Sequence, residues 1–162
     1  MSRFDSSQVT FPKILRTVGY NTAMIGKWHL VSEPTGFDFW EILPGQGDYY
    51  NPVFINASGQ HKEHGYTTEI ITEKTIEWLK GARDSGRPFM VMMHHKAPHR
   101  AWDPGPSELG MYESVTFPEP ATLFDDYSNR GPGERNQKMT IARDMTTERD
   151  LKLTSVPRRG LD

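Results

Sequence analysis

The sequence predicts an α/β fold, a mostly parallel sheet with helices on both faces, and two observations predict it. Residues 87–95, "RPFMVMMHH", are apolar at both side-chain parities, the pattern of a strand covered on both sides. A helix-period segment, residues 67–82, precedes that strand across a short loop, and helix followed by buried strand is the rhythm of an α/β sheet. At 162 residues the chain can bury a real core within one domain.

The elements follow in order. Residues 8–18 read as a short helix, with Thr10 as N-cap, Pro12 in the first turn, where its missing N–H costs nothing, and Gly19 as the stop. Residues 21–29, "NTAMIGKWH", read as a strand. Residues 35–56 are aromatic-rich and broken by Pro44, Gly45 and Gly47, which predicts two short strands around a glycine-rich loop. "NASGQH" is turn chemistry able to close a hairpin.

The clearest helix is residues 67–82. Ile70, Ile71, Thr75, Trp78 and Leu79 fall on one stripe, with Glu69, Glu73 and Glu77 on the other side and Thr67 or Thr68 as cap. After residue 95 the chain turns irregular, with six prolines in residues 96–134 but many aromatics, and reads as an ordered surface segment. Residues 134–152 read as a final helix on a modest stripe of Met139, Ile141, Ala142 and Met145. No internal repeat is present.

Composition excludes several classes. A formal net charge of −2 gives no electrostatic reason to expect nucleic acid as a partner. Mean hydropathy is −0.67, and no apolar run approaches the roughly 18–20 residues of a membrane helix. "MSRFDSSQVT" lacks the apolar stretch of a signal peptide. With no cysteine, disulfides and thiolate metal sites are excluded within these residues. Nothing in the chain speaks to oligomeric state.

The chemistry sits at two strand ends. If residues 21–29 are one strand, Lys27 and His29 share a face, roughly 7 Å apart by strand rise, and Trp28 turns the other way into packing. Sites in α/β sheets lie at the carboxyl ends of strands. The second strand ends in His94, His95 and Lys96, with His99 just beyond. Together these ends would form a cationic pocket for a compact oxyanion, with Lys as a point charge and His as hydrogen-bond or proton donor. Each piece also has a plainer reading. Lys-x-His fits a solvated strand edge, and His94–His95 fits a packed structural pair. His61 and His64 fit exposed positions in a polar turn, and Asp125–Asp126 a solvent-facing loop.

The strings themselves narrow the choice. "GYNTAMIGKWHL", residues 19–30, closely resembles the sulfatase signature Gly-Tyr-x-Thr-x-x-x-Gly-Lys-Trp-His-Leu, with Val31 where Gly is common. "PFMVMMHHKAPHRAW", residues 88–102, resembles a later segment of the same family. The resemblance runs from about Thr10 to Leu153 and implies a partial alkaline-phosphatase-like fold and hydrolysis of sulfate esters. It implies that Lys27 contacts the formylglycine nucleophile and the sulfate. It implies that His29 hydrogen-bonds that nucleophile and helps eliminate sulfate, and that His99 donates a proton to the leaving alcohol. His95, Lys96 and Trp102 are expected on the substrate. A related phosphotransferase or phosphodiesterase is disfavoured by "GKWHL" with "KAPH".

The resemblance also implies parts expected elsewhere. The nucleophile signature, Cys or Ser followed by x-Pro-x-Arg, belongs upstream of the first helix, where Ser2, Ser6 and Ser7 lack it. The family's Ca2+ is expected to find its ligands outside these residues, so no residue here is assigned to a metal. Residues 1–162 are therefore expected to be an internal fragment of the N-terminal catalytic domain, inactive alone, with an exposed sheet edge and poor solubility. "DFWEILPGQGDYYNPVF" resembles a loop region of carbohydrate-acting sulfatases, and Trp40, Tyr49, Tyr50 and Trp102 are able to stack on sugar rings. The implied partner is a sulfated carbohydrate such as N-acetylglucosamine 6-sulfate, with an aryl or choline sulfate, or a non-catalytic glycan-binding remnant, as alternatives. By family analogy the protein is periplasmic, secreted or lysosomal.

Overall fold

The computed structural model describes residues 3–151. They form two compact units, the first ending at His99 and the second beginning at Arg100. In the first unit, helix α1 spans Phe11–Thr17 and strands β1, β2, β3 and β4 span Asn21–Lys27, Phe39–Leu43, Val53–Asn56 and Gly59–Lys62. Helix α2 spans Thr67–Glu77, continues as a wider π-type turn over Trp78–Ala82, and leads to β5, Phe89–His94.

The sheet order is β4-β3-β2-β1-β5. It is mixed, parallel across β2, β1 and β5 and antiparallel across β2, β3 and β4. The most deeply buried strand is β1, between β2 and β5, whose Thr22, Ala23, Met24 and Ile25 have no exposed surface. On one face Ala23, Ile25, Leu43 and Phe54 pack against Ile70, Ile71 and Trp78 of the α2 segment. On the other face Met24, Phe37 and Ile42 gather Trp28, Trp40, Ile55, Met90 and Met92. There α1 borders a cavity with its Phe11 and Pro12 opposite Trp28, Phe37 and Met92. Helices thus lie on both faces, as expected.

Strand β5 departs from the expectation. Its unbroken apolar pattern predicts a covered strand, yet it stands at the sheet edge, pairs only with β1 among the described residues, and leaves Phe89 and Met93 exposed. An apolar run reports what a strand can bury. Whether a neighbour is present is a property of the assembled sheet. The expected exposed edge is this one.

Thr10 holds the N-cap position of α1 as expected, whereas the cap of α2 is Tyr66 rather than Thr67 or Thr68. Thr10 and Tyr66 precede α1 and α2 without a side-chain capping bond. Thr67 lies inside α2 and donates its hydroxyl to the carbonyl of Asp48, 2.6 Å away. Its short side chain found a loop carbonyl rather than its own helix's free N–H groups. Pro12 and Gly19 hold their expected places, with Gly19 at φ 93° just past the cap. The β3–β4 hairpin closes through Asn56–Gly59, as the turn residues indicate.

The second unit has, among its described residues, no continuous helix matching the one expected over residues 134–152. Its helix α3 covers only Pro132–Arg135, and a π-type turn covers Thr147–Leu151. Between them Asp144 turns back on the chain. Its carboxylate accepts from the Thr140 N–H at 3.0 Å and the Thr140 hydroxyl at 2.6 Å. Such side-chain bonds compete directly with helical ones. Arg100 holds this unit together through Asp150, at 2.7 and 2.8 Å, and the carbonyl of Asp144.

Candidate active site

The site begins with a glycine. β1 and β5 run parallel with Gly26 opposite His94, so the carboxyl ends of both strands finish side by side. Gly26 has φ 103°, and a Cβ there would lie 2.0 Å from the carbonyl oxygen of His94. No other residue fits that backbone and that approach together. Lys27 closes β1 immediately afterwards, half-buried and paired in register with Leu43. Its ammonium has no hydrogen-bond or ion-pair partner among the described residues.

His29 lies beyond the strand. Its φ is 56°, so strand alternation does not carry from Lys27 to His29, and their expected shared face is not a strand face. The strand ends at Lys27, and the left-handed backbone of His29 turns the chain out of the sheet there. Trp28 does turn into packing. Its ring meets Phe37 edge-on at 6.0 Å, and its indole N–H donates to the Ser32 carbonyl at 2.7 Å. His29 borders a cleft of about 410 Å³ walled by Trp28, Trp40, Ile42, Leu43 and Ile55.

From β5 come the other cations. A ring nitrogen of His94 stands 3.2 Å from the Lys27 carbonyl, which ties the two strand ends. His95 is half-buried, its Nδ1 has no partner among the described residues, and burial holds its pKa below the ordinary value. Lys96 is buried. Its ammonium lies 4.8 Å from the centroid of the Tyr49 ring and donates to the Gln46 carbonyl at 3.3 Å. The exposed His99 accepts at its carbonyl from the Tyr49 hydroxyl, 2.5 Å away. Lys27, His29, His95, Lys96 and His99 all belong to the first unit. Trp102, also expected on the substrate, belongs to the second.

In the β2–β3 loop, Gln46 carried no signal in the sequence and Tyr49 was expected in another place. Gln46 places its amide nitrogen 3.4 Å from a ring nitrogen of His29. Tyr49, expected as a sugar platform, is instead buried and stacked on Tyr66 at 6.4 Å. Trp40 keeps a partly open face on the cleft.

A second cluster lies away from the strand ends, on β2, β4 and α2. Glu41, His61 and Glu63 form the one grouping among the described residues able to hold a metal. Lys74 already takes the cation's place, 2.7 Å from Glu41 and 2.9 Å from Glu63. Burial opposes the charge on Lys74, but the two carboxylates outweigh it and raise its pKa. His61, read as an exposed turn residue, is half-buried and pairs with Glu41 at 2.9 Å, whereas His64 is exposed as expected. Calcium wants six to eight oxygen ligands. A histidine- and lysine-rich strand end does not fit it, and neither does a carboxylate pair holding an ammonium.

A further sequence feature bears on the nucleophile. Residues 155–159, "SVPRR", have the form Ser-x-Pro-x-Arg. They follow both motifs instead of preceding the first helix, and lie outside the described residues.

Comparison with known proteins agrees with these motifs. The family model "Sulfatase" matches residues 3–152. An N-acetylglucosamine-6-O-sulfatase of Bacteroides thetaiotaomicron is 54% identical over 155 residues, 94% of this chain and 28% of that protein. An ulvan-active sulfatase of Formosa agariphila is 28% identical over 76% of this chain and 26% of its own length. A solved structure of a complex with its substrate, D-glucosamine-2-N,6-O-disulfate, matches with a TM-score of 0.86 at 54% identity, over 94% of this chain and 31% of that one. The chain therefore spans less than a third of the length of each.

Proposed function

Because the chain belongs to the sulfatase family, we propose that it is an internal part of the catalytic domain of a glycan O-sulfatase acting at the 6-position of an N-acetylglucosamine-like sugar. One piece of geometry supports this reading. The parallel pairing of Gly26 with His94 brings the two cationic strand ends side by side, and His29, just beyond the first, borders a cleft with a tryptophan wall. The substrate class rests on the 54% identical relative and on the sulfated glucosamine bound in the matching solved structure.

Each residue has a role in this proposal. The unpaired ammonium of Lys27 holds a sulfate oxygen and offsets its charge. His29, beside Gln46, donates a hydrogen bond to the sulfate or to the group attacking it. His99, on the exposed turn after β5, gives its proton to the sugar oxygen as the S–O bond breaks, so that a neutral alcohol leaves. Lys96 lends the end of β5 a positive charge, and His95, whose pKa burial lowers, serves the substrate as a hydrogen-bonding group rather than a charged one. In a family enzyme a formylglycine would supply the nucleophile and a calcium ion the further charge stabilisation. Their ligands and precursor belong to the rest of the catalytic domain, and no residue here is assigned to them.

The test is sulfate release from N-acetylglucosamine 6-sulfate by the longer enzyme in which these residues lie. Lys27→Ala and His99→Gln should each lower kcat by roughly hundredfold, the loss typical of one charge-stabilising or proton-donating group. Full activity in both variants would refute the assignment. Preference for an aryl or choline sulfate over the sugar would refute the substrate class.

A further inference from the structure

We infer that Tyr49 is a positioning residue for the site, the post through which the β2–β3 loop holds Lys96 and His99 in place. The inference rests on the proposed role of His99 and extends it to a residue that does not face the cleft.

His99 sits on an irregular turn after β5, outside the strand itself. Its main-chain N–H donates to the Lys96 carbonyl at 3.1 Å, and its carbonyl receives the Tyr49 hydroxyl at 2.5 Å. Tyr49 is itself firmly held. It is 6% exposed, its ring stacks on Tyr66 at an angle of 12°, and its carbonyl accepts from the N–H of Thr67 at 2.9 Å. Thr67 also holds the preceding carbonyl, that of Asp48, so the loop is pinned to the first turn of α2. The ring's other service is electrostatic. The Lys96 ammonium lies 4.8 Å from the ring centroid, where the negative face attracts a cation.

The same loop reaches His29 through the Gln46 side chain and Lys96 through the Gln46 carbonyl. Groups from the ends of β1 and β5 are thus braced against one loop. A buried tyrosine hydroxyl needs a partner, and here the partner is the backbone of the proposed proton donor. Phenylalanine would fill the same volume without that link. Proton donors are sensitive to such support, since a displacement near 1 Å can cost about a hundredfold in rate.

Tyr49→Phe tests the inference, because it keeps the ring and removes only the hydroxyl. In the sulfate-release assay the expected result is a fall in kcat of roughly ten- to hundredfold with KM changed by less than about threefold. The basic limb of the kcat–pH profile should shift as the His99 environment changes. An unchanged kcat and pH profile with a lowered thermal midpoint would make Tyr49 a packing residue and overturn the inference. The underlying assignment fails separately. If His99→Gln keeps full kcat, the role of His99 is lost and the inference with it. If His99→Gln is crippled and Tyr49→Phe is not, only the inference falls. Amide hydrogen exchange on the 162-residue chain without substrate gives a second measure. The His99 amide should exchange about tenfold faster in Tyr49→Phe, and equal rates would overturn the restraint.

Discussion

At the scale of single residues, Gly26 carries the tightest constraint. Its φ of 103° and the 2.0 Å approach of the His94 carbonyl to a notional Cβ leave no room for a side chain. Gly26→Ala must both strain its own backbone and push β5 away from β1. The expected loss is about 3 kcal/mol or more in urea unfolding, combining left-handed strain with broken pairing. Lys74 is the second sensitive position. Glu41 is nearly buried and shares its carboxylate between Lys74 and His61. Lys74→Met removes the cation and leaves that carboxylate short of charge, at an expected cost of about 3 kcal/mol. Because the ammonium occupies the place of an ion, zinc added to the wild-type chain should leave its thermal midpoint unchanged. A rise of several degrees would show that a metal displaces Lys74.

At the scale of elements, β5 determines how the chain behaves in solution. It offers an unpaired edge among the described residues, and Phe89 and Met93 are more than 40% exposed on it. Apolar edges recruit further strands. Met93→Lys should lower the light scattering of the isolated chain at a given concentration, with unfolding free energy changed by less than about 0.5 kcal/mol because little burial is lost. Unaltered scattering would place the aggregating surface elsewhere, for example among the exposed apolar residues of the second unit.

At the scale of the whole molecule, pH integrates several groups. Burial keeps the folded pKa of His95 below its ordinary 6.5, so the unfolded chain binds the proton more readily. That contribution is complete above pH 6.5 and is lost as pH falls through the lower folded value. Asp38 and Glu63 act further down. Burial alone would raise Asp38, but bonds from the Thr22 N–H and hydroxyl and from Arg16 outweigh it and leave it below 3.8. The hydrogen bond from Lys74 is the main cause holding Glu63 below 4.5. Their stabilisation is present above those ordinary values and disappears as pH drops through the folded ones. The urea midpoint should therefore sag below pH 6.5 and fall again below about pH 4.5. Replacing His95 with Gln should remove the first step and leave the second. A first step that survives His95→Gln would assign it to another group.

What could be read directly from the residues was local or combinatorial. The stripe of Ile70, Ile71, Thr75 and Trp78 made one helix, because a period of 3.6 leaves few alternatives to burial against a sheet. Pro44, Gly45 and Gly47 marked the loop between β2 and β3, and "NASG" marked a hairpin. The strings around Lys27 and His99 pointed to the family, because their order and composition are too specific to arise by chance. Other features depended on what each segment meets. The apolar run of β5 could not say that it lies at an edge, since both parities look alike whether or not a neighbour is there. The stripe of Met139 and Ile141 made no helix because Asp144 captured Thr140 first. Lys27 and His29 looked like partners on one strand face, but the strand ends at Lys27 and His29 takes up a left-handed turn beyond it. Gln46 had no signature at all, and Tyr49 stood out only as an aromatic able to stack on a sugar. Their contacts come from which carbonyl and which cation the folded chain brings within about 3 to 5 Å, and only tertiary structure decides such distances.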